Sequence, residues 1–338
     1  MTVHVIGGGL AGLAAAVRLA ATGRHVVLHE QVRQPGGRCR SFADPRLGQT
    51  LDCGVHLAFA GRSHHFSAYL AEIGATDGLI GPESTSCRFI DTRSGETWQL
   101  RPNAGAVPWW MFAPRRRIPG TGLADYVALA RLALAGRGAT VGDVMPSAGT
   151  GRERFWEPVC VASLNTAPSG ADAQTLWAAL RDALAAGGVP YRPRFVRHDL
   201  TTDFISPALQ QLDRSGADLR FGHRLIGLEF TGSRLSKLVF ADGHEKLSTD
   251  DAAILAVPPN AVRHLLPKLA VPRASSAIVT AHFMLRRPAA AEPQLTGLID
   301  GRSLWLLTRG ELATVTVGAA NDLVPLNAQT WPSACGGR

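Results

Sequence analysis

Three glycines, Gly7, Gly9 and Gly12, and an acid further on, Glu30, are the residues of this 338-residue chain best suited to holding a charged ligand. Their spacing is that of a G-x-G-x-x-G turn, which binds a dinucleotide through its backbone. Gly7 permits the tight turn, Gly9 lets a diphosphate approach the main chain, and Gly12 lets helix and strand pack closely. A helix starting at Leu10 and Ala11 offers free N–H groups and a partial positive charge to the phosphates. Glu30 falls where a carboxylate accepts from a ribose hydroxyl. The glycines alone would also suit an ordinary glycine-rich turn.

The elements around them decide the matter. Val3 to Ile6 is a short buried-strand pattern, an alanine-rich helix runs from about Leu10 to Thr22, and a second strand covers His25 to His29. Strand, glycines, helix, strand and acid therefore occur in order. Further on, residues 50–56 read as extended, 63–73 as a helix, and 86–100 as short strands turning at Ser94-Gly95. A mostly helical block follows from 121 to 188, punctuated by Pro146, Pro158 and Pro168. An amphipathic helix is expected over 199–215, with Asp203 as an exposed charge. Beyond it lie a strand, a hairpin turning at Asp242-Gly243, and a strand from Ala252 to Val257. Residues 276–285 and 303–317 are β-rich. The return to short strands after 216 predicts an α/β fold, a Rossmann-like dinucleotide domain interrupted by a helical and β-rich one. The first domain takes 1–84 and 195–270; the second takes 85–194 and 271–338.

The composition narrows the partners. The formal charge is +8, and lysine occurs only at 237, 246 and 268. Such a balance suits a diphosphate or an anionic lipid, and no nucleic-acid-binding motif accompanies it. The cysteines at 39, 53, 87, 160 and 335 show no metal-ligand spacing, as in a cytoplasmic protein with reduced thiols. His64-His65 has no acidic partner at ligand spacing, so no metal is expected. The apolar N-terminus lacks a basic leader and is interrupted by three glycines, unlike a signal peptide. No stretch reaches the length of an apolar membrane span.

After Glu30 the chain reaches Pro35-Gly36-Gly37-Arg38. Glu30 followed by Gly-Gly-Arg at this distance resembles the flavin-dependent amine oxidase and phytoene desaturase superfamily. The resemblance implies FAD as the dinucleotide, with the Gly-Gly-Arg turn against its phosphates and flavin. Gly37 would allow close backbone approach, and Arg38 would supply a planar cation. It also implies that Asp52-Cys-Gly54-Val-His56 lies along the isoalloxazine ring and that Leu225 sits at the adenine. In the middle of the chain, Pro114 to Thr121, Phe155-Trp156-Glu157-Pro158 and Ser163-Leu-Asn165-Thr-Ala-Pro168 resemble one branch, the hydroxysqualene dehydroxylases of hopanoid biosynthesis. That branch implies reductive removal of a hydroxyl from a long-chain isoprenoid, the flavin providing the hydride.

Three residues are candidates for the accompanying catalysis, each with a plain structural alternative. His56 titrates near neutrality and could contact flavin or give a proton to the leaving hydroxyl, or simply bond backbone. Glu157 could be a general acid if burial raises its pKa, or pair with a neighbouring arginine. Asn165 could bond the substrate hydroxyl, or make a turn. Trp109-Trp110-Met111-Phe112 beside Arg115-Arg116-Arg117 suits peripheral contact with a membrane, or a core-packing loop with solvated arginines.

The chain departs from the superfamily pattern at its end. Family members close the FAD domain with a late Gly-Asp segment and a Gly-rich turn, and this sequence reaches Arg338 without them. A C-terminally incomplete flavin site is the expectation. The competing functions are a carotenoid-type desaturase, an amine oxidase lacking a recognisable aromatic cage, and a non-catalytic remnant that cannot hold FAD alone.

Overall fold

The computed structural model describes residues 1–54, 58–59, 64–82, 86–103, 108–146, 148–185, 193–272, 276–299 and 303–324. The chain divides into two compact units. The first comprises Met1–Cys53, His64–Ile80 and Val196–Ser275; the second comprises Gly54–Ser63, Gly81–Phe195 and Ser276–Arg338.

The first unit opens with strand β1 (Thr2–Ile6), helix α1 (Leu10–Ala21) and strand β2 (His25–Glu30). Both strands are almost continuously buried, as strands covered on both faces of a parallel sheet must be. The sheet runs Asp218–Phe221, β2, β1, Ala252–Leu255, with every neighbour parallel. Its register brings Ile6 level with His29 and Leu255, and Glu30 level with Phe221. The carboxyl ends of four strands therefore meet at one edge, where open α/β sheets bind ligands. Helix α1 buries Leu13, Ala16 and Val17 against this sheet, in one cluster with Leu28, Tyr69, Phe204 and Leu212. Burying Leu13, Leu28 or Leu212 completely contributes about 1.5–3 kcal/mol each. An antiparallel three-stranded sheet (Leu225–Thr231, Arg234–Phe240, Gly243–Lys246) packs Leu238, Phe240 and the following Leu247 around Ile6. Its second turn is the hairpin at Asp242-Gly243, closed by the Phe240–Gly243 pair.

The segment expected as one helix over 199–215 is a π-helical turn, Thr201–Ile205, followed by an α-helix, Ser206–Arg214. A second π turn, Arg152–Trp156, leads into the α-helix Glu157–Leu164. Each passes into a helix with proline at its second position, Pro207 or Pro158. Proline lacks the N–H and crowds the carbonyl four residues back, so a widened turn ahead of it relieves the clash. One consequence corrects an expectation. Asp203 is buried, with 6% of its surface exposed, because the π turn directs it inward. It accepts from the His198 backbone N–H and pairs with His198 Nδ1, both at 2.7 Å.

The second unit holds a six-stranded sheet ordered Val279–Met284, Leu312–Val317, Ser303–Arg309, Gln294–Ile299, Cys87–Asp91, Thr97–Leu100. Only the contact between Gln294–Ile299 and Cys87–Asp91 is parallel. A helical cluster centred on Trp110, Tyr126, Leu132, Phe155, Trp156 and Leu176 forms its second core. Arg154 ties strands to helices: it donates to Asp91 at 2.9 Å and Glu96 at 2.7 Å, with its guanidinium 5.0 Å from the Trp98 ring centroid.

Candidate functional site

The glycine turn joins β1 to α1, and each glycine has a separate steric reason. Gly7 has φ +110, and a Cβ there would stand 2.4 Å from the Ala256 carbonyl oxygen. On Gly12 a Cβ would stand 1.8 Å from the Gly7 oxygen, so only glycine lets α1 cross this close to the strand end. Gly9 differs: a Cβ would meet nothing nearer than the Gly36 oxygen at 4.0 Å. Its backbone is ordinary, φ −78, so neither crowding nor conformation demands glycine there. What a side chain would fill is the open ground before the first turn of α1.

The Pro35 to Arg38 turn closes on this ground. Gly36 donates to the Gly8 oxygen at 2.7 Å and forms a bridge with Gly9. Gly37, at φ +59, has only the Gly9 Cα within 4 Å of where its Cβ would be, at 3.5 Å. Two bare glycines thus face each other beside the N-terminus of α1. No side chain caps that end, where a run of N–H groups lacks intrahelical acceptors and carries partial positive charge. Arg38 is exposed at the rim. Glu30 is buried at the end of β2; Oε2 accepts from Gly8 N–H at 2.7 Å and Oε1 from Val32 N–H at 3.0 Å. The space kept clear of Cβ atoms, the donors and the acid fit a dinucleotide diphosphate and ribose. Gly7, Gly9, Leu10, Ala11, Gly12, Glu30, Gly37 and Arg38 are brought together here. Leu225 begins the antiparallel sheet of the same unit; Gly54 follows Cys53, whose N–H donates to the Arg40 oxygen at 2.9 Å, and belongs to the second unit.

Behind Glu30 lies a histidine chain that the motif reading missed. His4 Nδ1 and His29 Nε2 are 3.1 Å apart, His29 Nδ1 and His223 Nδ1 2.8 Å, and His223 Nε2 lies 3.2 Å from Asp242. A carboxylate only accepts, and one arrangement of ring protons satisfies the whole line. His223 donates to Asp242 from Nε2, leaving Nδ1 to accept from His29 Nδ1–H; His29 Nε2 then accepts from His4 Nδ1–H. Burial first, then the neighbouring imidazoles, lowers His29 to about 3, and burial likewise lowers His4. The signal available in sequence was His4 and His29, each set among the apolar residues of a buried strand.

The catalytic candidates are distributed otherwise. His56 lies outside the described residues. Glu157 and Asn165 belong to the second unit, at opposite ends of the helix Glu157–Leu164. Glu157 forms an ion pair with Arg152 at 3.9 Å. Asn165 is the left-handed C-cap, φ +48. Its Nδ2 donates to the Ser276 oxygen and its Oδ1 accepts from Ala319 N–H, both at 2.7 Å. Burial holds the Cys39 and Cys160 thiols at about 12, so neither offers a thiolate.

The profile of the flavin containing amine oxidoreductase family matches residues 10–317. An oxidoreductase from Methanosarcina mazei has a similar fold, with a TM-score of 0.73 at 14% identity, over 99% of this chain and 82% of that one. The class is thereby an FAD-dependent oxidoreductase of the amine oxidase fold. A hydroxysqualene dehydroxylase of Rhodopseudomonas palustris is 38% identical over 99% of this chain and 81% of its own length. That of Sinorhizobium fredii is 38% identical over 98% and 81%. Within its class, the chain belongs to the hydroxysqualene dehydroxylase family.

Proposed function

We propose that this chain catalyses the reductive dehydroxylation of hydroxysqualene to squalene, with release of water. The observation that carries the reading is the near full-length identity to hydroxysqualene dehydroxylases. When bound, reduced FAD supplies the hydride that replaces the hydroxyl. Gly9 and Gly37 admit the cofactor diphosphate to the backbone, the N-terminus of α1 offsets its charge, and Glu30 accepts from the ribose. Of the catalytic candidates, His56 is assigned the proton that converts the departing hydroxyl to water. Glu157 is engaged with Arg152, and Asn165 holds two backbone segments. A C30 hydrocarbon needs little polar anchoring, since each buried CH₂ contributes about 0.8 kcal/mol.

Such a substrate resides in lipid, so the reading includes peripheral work at a membrane surface. Among the described residues no helix is long and apolar enough to cross a membrane. The test is anaerobic: the chain is loaded with FAD, reduced with dithionite, and given hydroxysqualene in detergent micelles. Squalene in the extract supports the reading. A chain that retains flavin, forms no squalene and desaturates phytoene would overturn it in favour of a desaturase.

A further inference from the structure

The helical layer of the second unit carries large apolar side chains on its exposed side as well as its buried one. Inward, Trp110, Met111, Tyr126, Ala128 and Leu132 join one buried cluster. Outward, the same short elements leave Trp109 64% exposed, Phe112 56% and Leu134 85%, with Leu123 and Val127 about half exposed. Leu123, Val127 and Leu134 recur at helical spacing along the helices Leu123–Tyr126 and Ala128–Ala133 and their C-caps, while Tyr126 and Leu132 of the same helices are buried. Trp109 and Phe112 lie with ring centroids 5.9 Å apart. Single exposed apolar residues need no explanation, but a stripe and an aromatic pair on one layer do.

The charge around them is one-sided. From Trp109 to Val141 the chain carries five arginines and one acid, Asp125. The Asp125 carboxylate already accepts from Gly122 N–H at 2.7 Å. Arg117 is turned inward onto the Met111 and Phe112 carbonyls, at 2.7 and 3.2 Å. Arg115, Arg116, Arg131 and Arg137 are exposed. A second copy docking face to face would set arginines against arginines. Anionic headgroups neutralise them instead, while indole, phenyl and leucine side chains enter the headgroup–acyl boundary.

We infer that this outward face, from Trp109 and Phe112 through Leu134, docks the chain on an anionic phospholipid bilayer. The inference rests on the proposed lipid substrate for its purpose but not for its test. The purified full chain is floated with phosphatidylcholine vesicles, with and without phosphatidylglycerol. Binding is expected only with the anionic lipid and should fall as salt rises. R115Q/R116Q should weaken it about thirtyfold, taking roughly 1 kcal/mol per basic residue near an anionic surface. W109S/F112S should abolish flotation while leaving squalene formation in micelles intact. Flotation with squalene formation absent would overturn the proposed function and leave the docking face standing. Micellar turnover without flotation, or a dimer that W109S/F112S converts to monomer, would overturn the docking face.

Discussion

The Glu30 carboxylate receives the Gly8 N–H at 2.7 Å, so the acid assigned to the ribose also ties the glycine turn to the end of β2. Glu30→Ala removes both roles. It should weaken FAD binding about tenfold or more and cost about 1–3 kcal/mol of stability, since a backbone donor loses its charged acceptor. Glu30→Gln keeps an acceptor for Gly8 and should fall between. Flavin fluorescence titration and urea unfolding measure the two effects; full affinity in Glu30→Ala would refute the ribose assignment.

Gly9 and Gly12 should respond in opposite ways to one methyl group. Gly12→Ala sets a Cβ 1.8 Å from a backbone oxygen and should prevent folding or cost several kcal/mol. Gly9→Ala meets no such contact and should fold with wild-type circular dichroism and melting temperature. Its purified form should nevertheless be colourless after incubation with FAD. A yellow Gly9→Ala protein would show that the diphosphate does not use this ground.

His29 should make the first unit acid-sensitive. Its folded value, about 3, lies below the ordinary 6.5, so the unfolded chain takes the proton first. Its stabilising contribution is full above pH 6.5 and is lost as the pH falls toward 3, at roughly 1.4 kcal/mol per unit. His4, shifted in the same direction, adds to the slope. Urea midpoints at pH 7 and pH 5 give this slope, and His29→Leu should flatten it whatever the substitution does to stability at pH 7. An unchanged slope would count against a neutral buried imidazole.

Asn165 should prove structural. Asn165→Gly retains the left-handed backbone and deletes only the ties to Ser276 and Ala319, so it should cost about 1–3 kcal/mol. The folded fraction should turn over hydroxysqualene at the wild-type rate. A normal melting temperature with lost turnover would restore the substrate-binding reading.

Local pattern made β1, the glycine turn, α1, β2 and Glu30 legible, because these elements follow one another within thirty residues and contact each other directly. The Asp242-Gly243 hairpin was legible for the same reason. Gln294–Ile299 was not, since Gly297 interrupts its apolar run; there a Cβ would meet the Phe89 ring of the neighbouring strand at 2.4 Å. Ser41–Asp44 was missed as well, its two middle residues being exposed. Asp203 was misread as exposed because helical spacing does not reveal a π turn. The partners of Asn165 lie more than a hundred residues away, beyond anything spacing conveys.

The order of the first sheet has a consequence for synthesis. β1 is central, yet one of its two neighbours, Ala252–Leu255, leaves the ribosome long after the other. At about 5–20 residues per second that delay is roughly ten to fifty seconds. Throughout it Val3 and Val5 present an apolar strand with one open edge, the template on which nascent chains aggregate. The second sheet is completed later still, because Cys87–Asp91 pairs with Gln294–Ile299. Translation pauses or chaperone capture before residue 299 should therefore govern the yield of soluble protein.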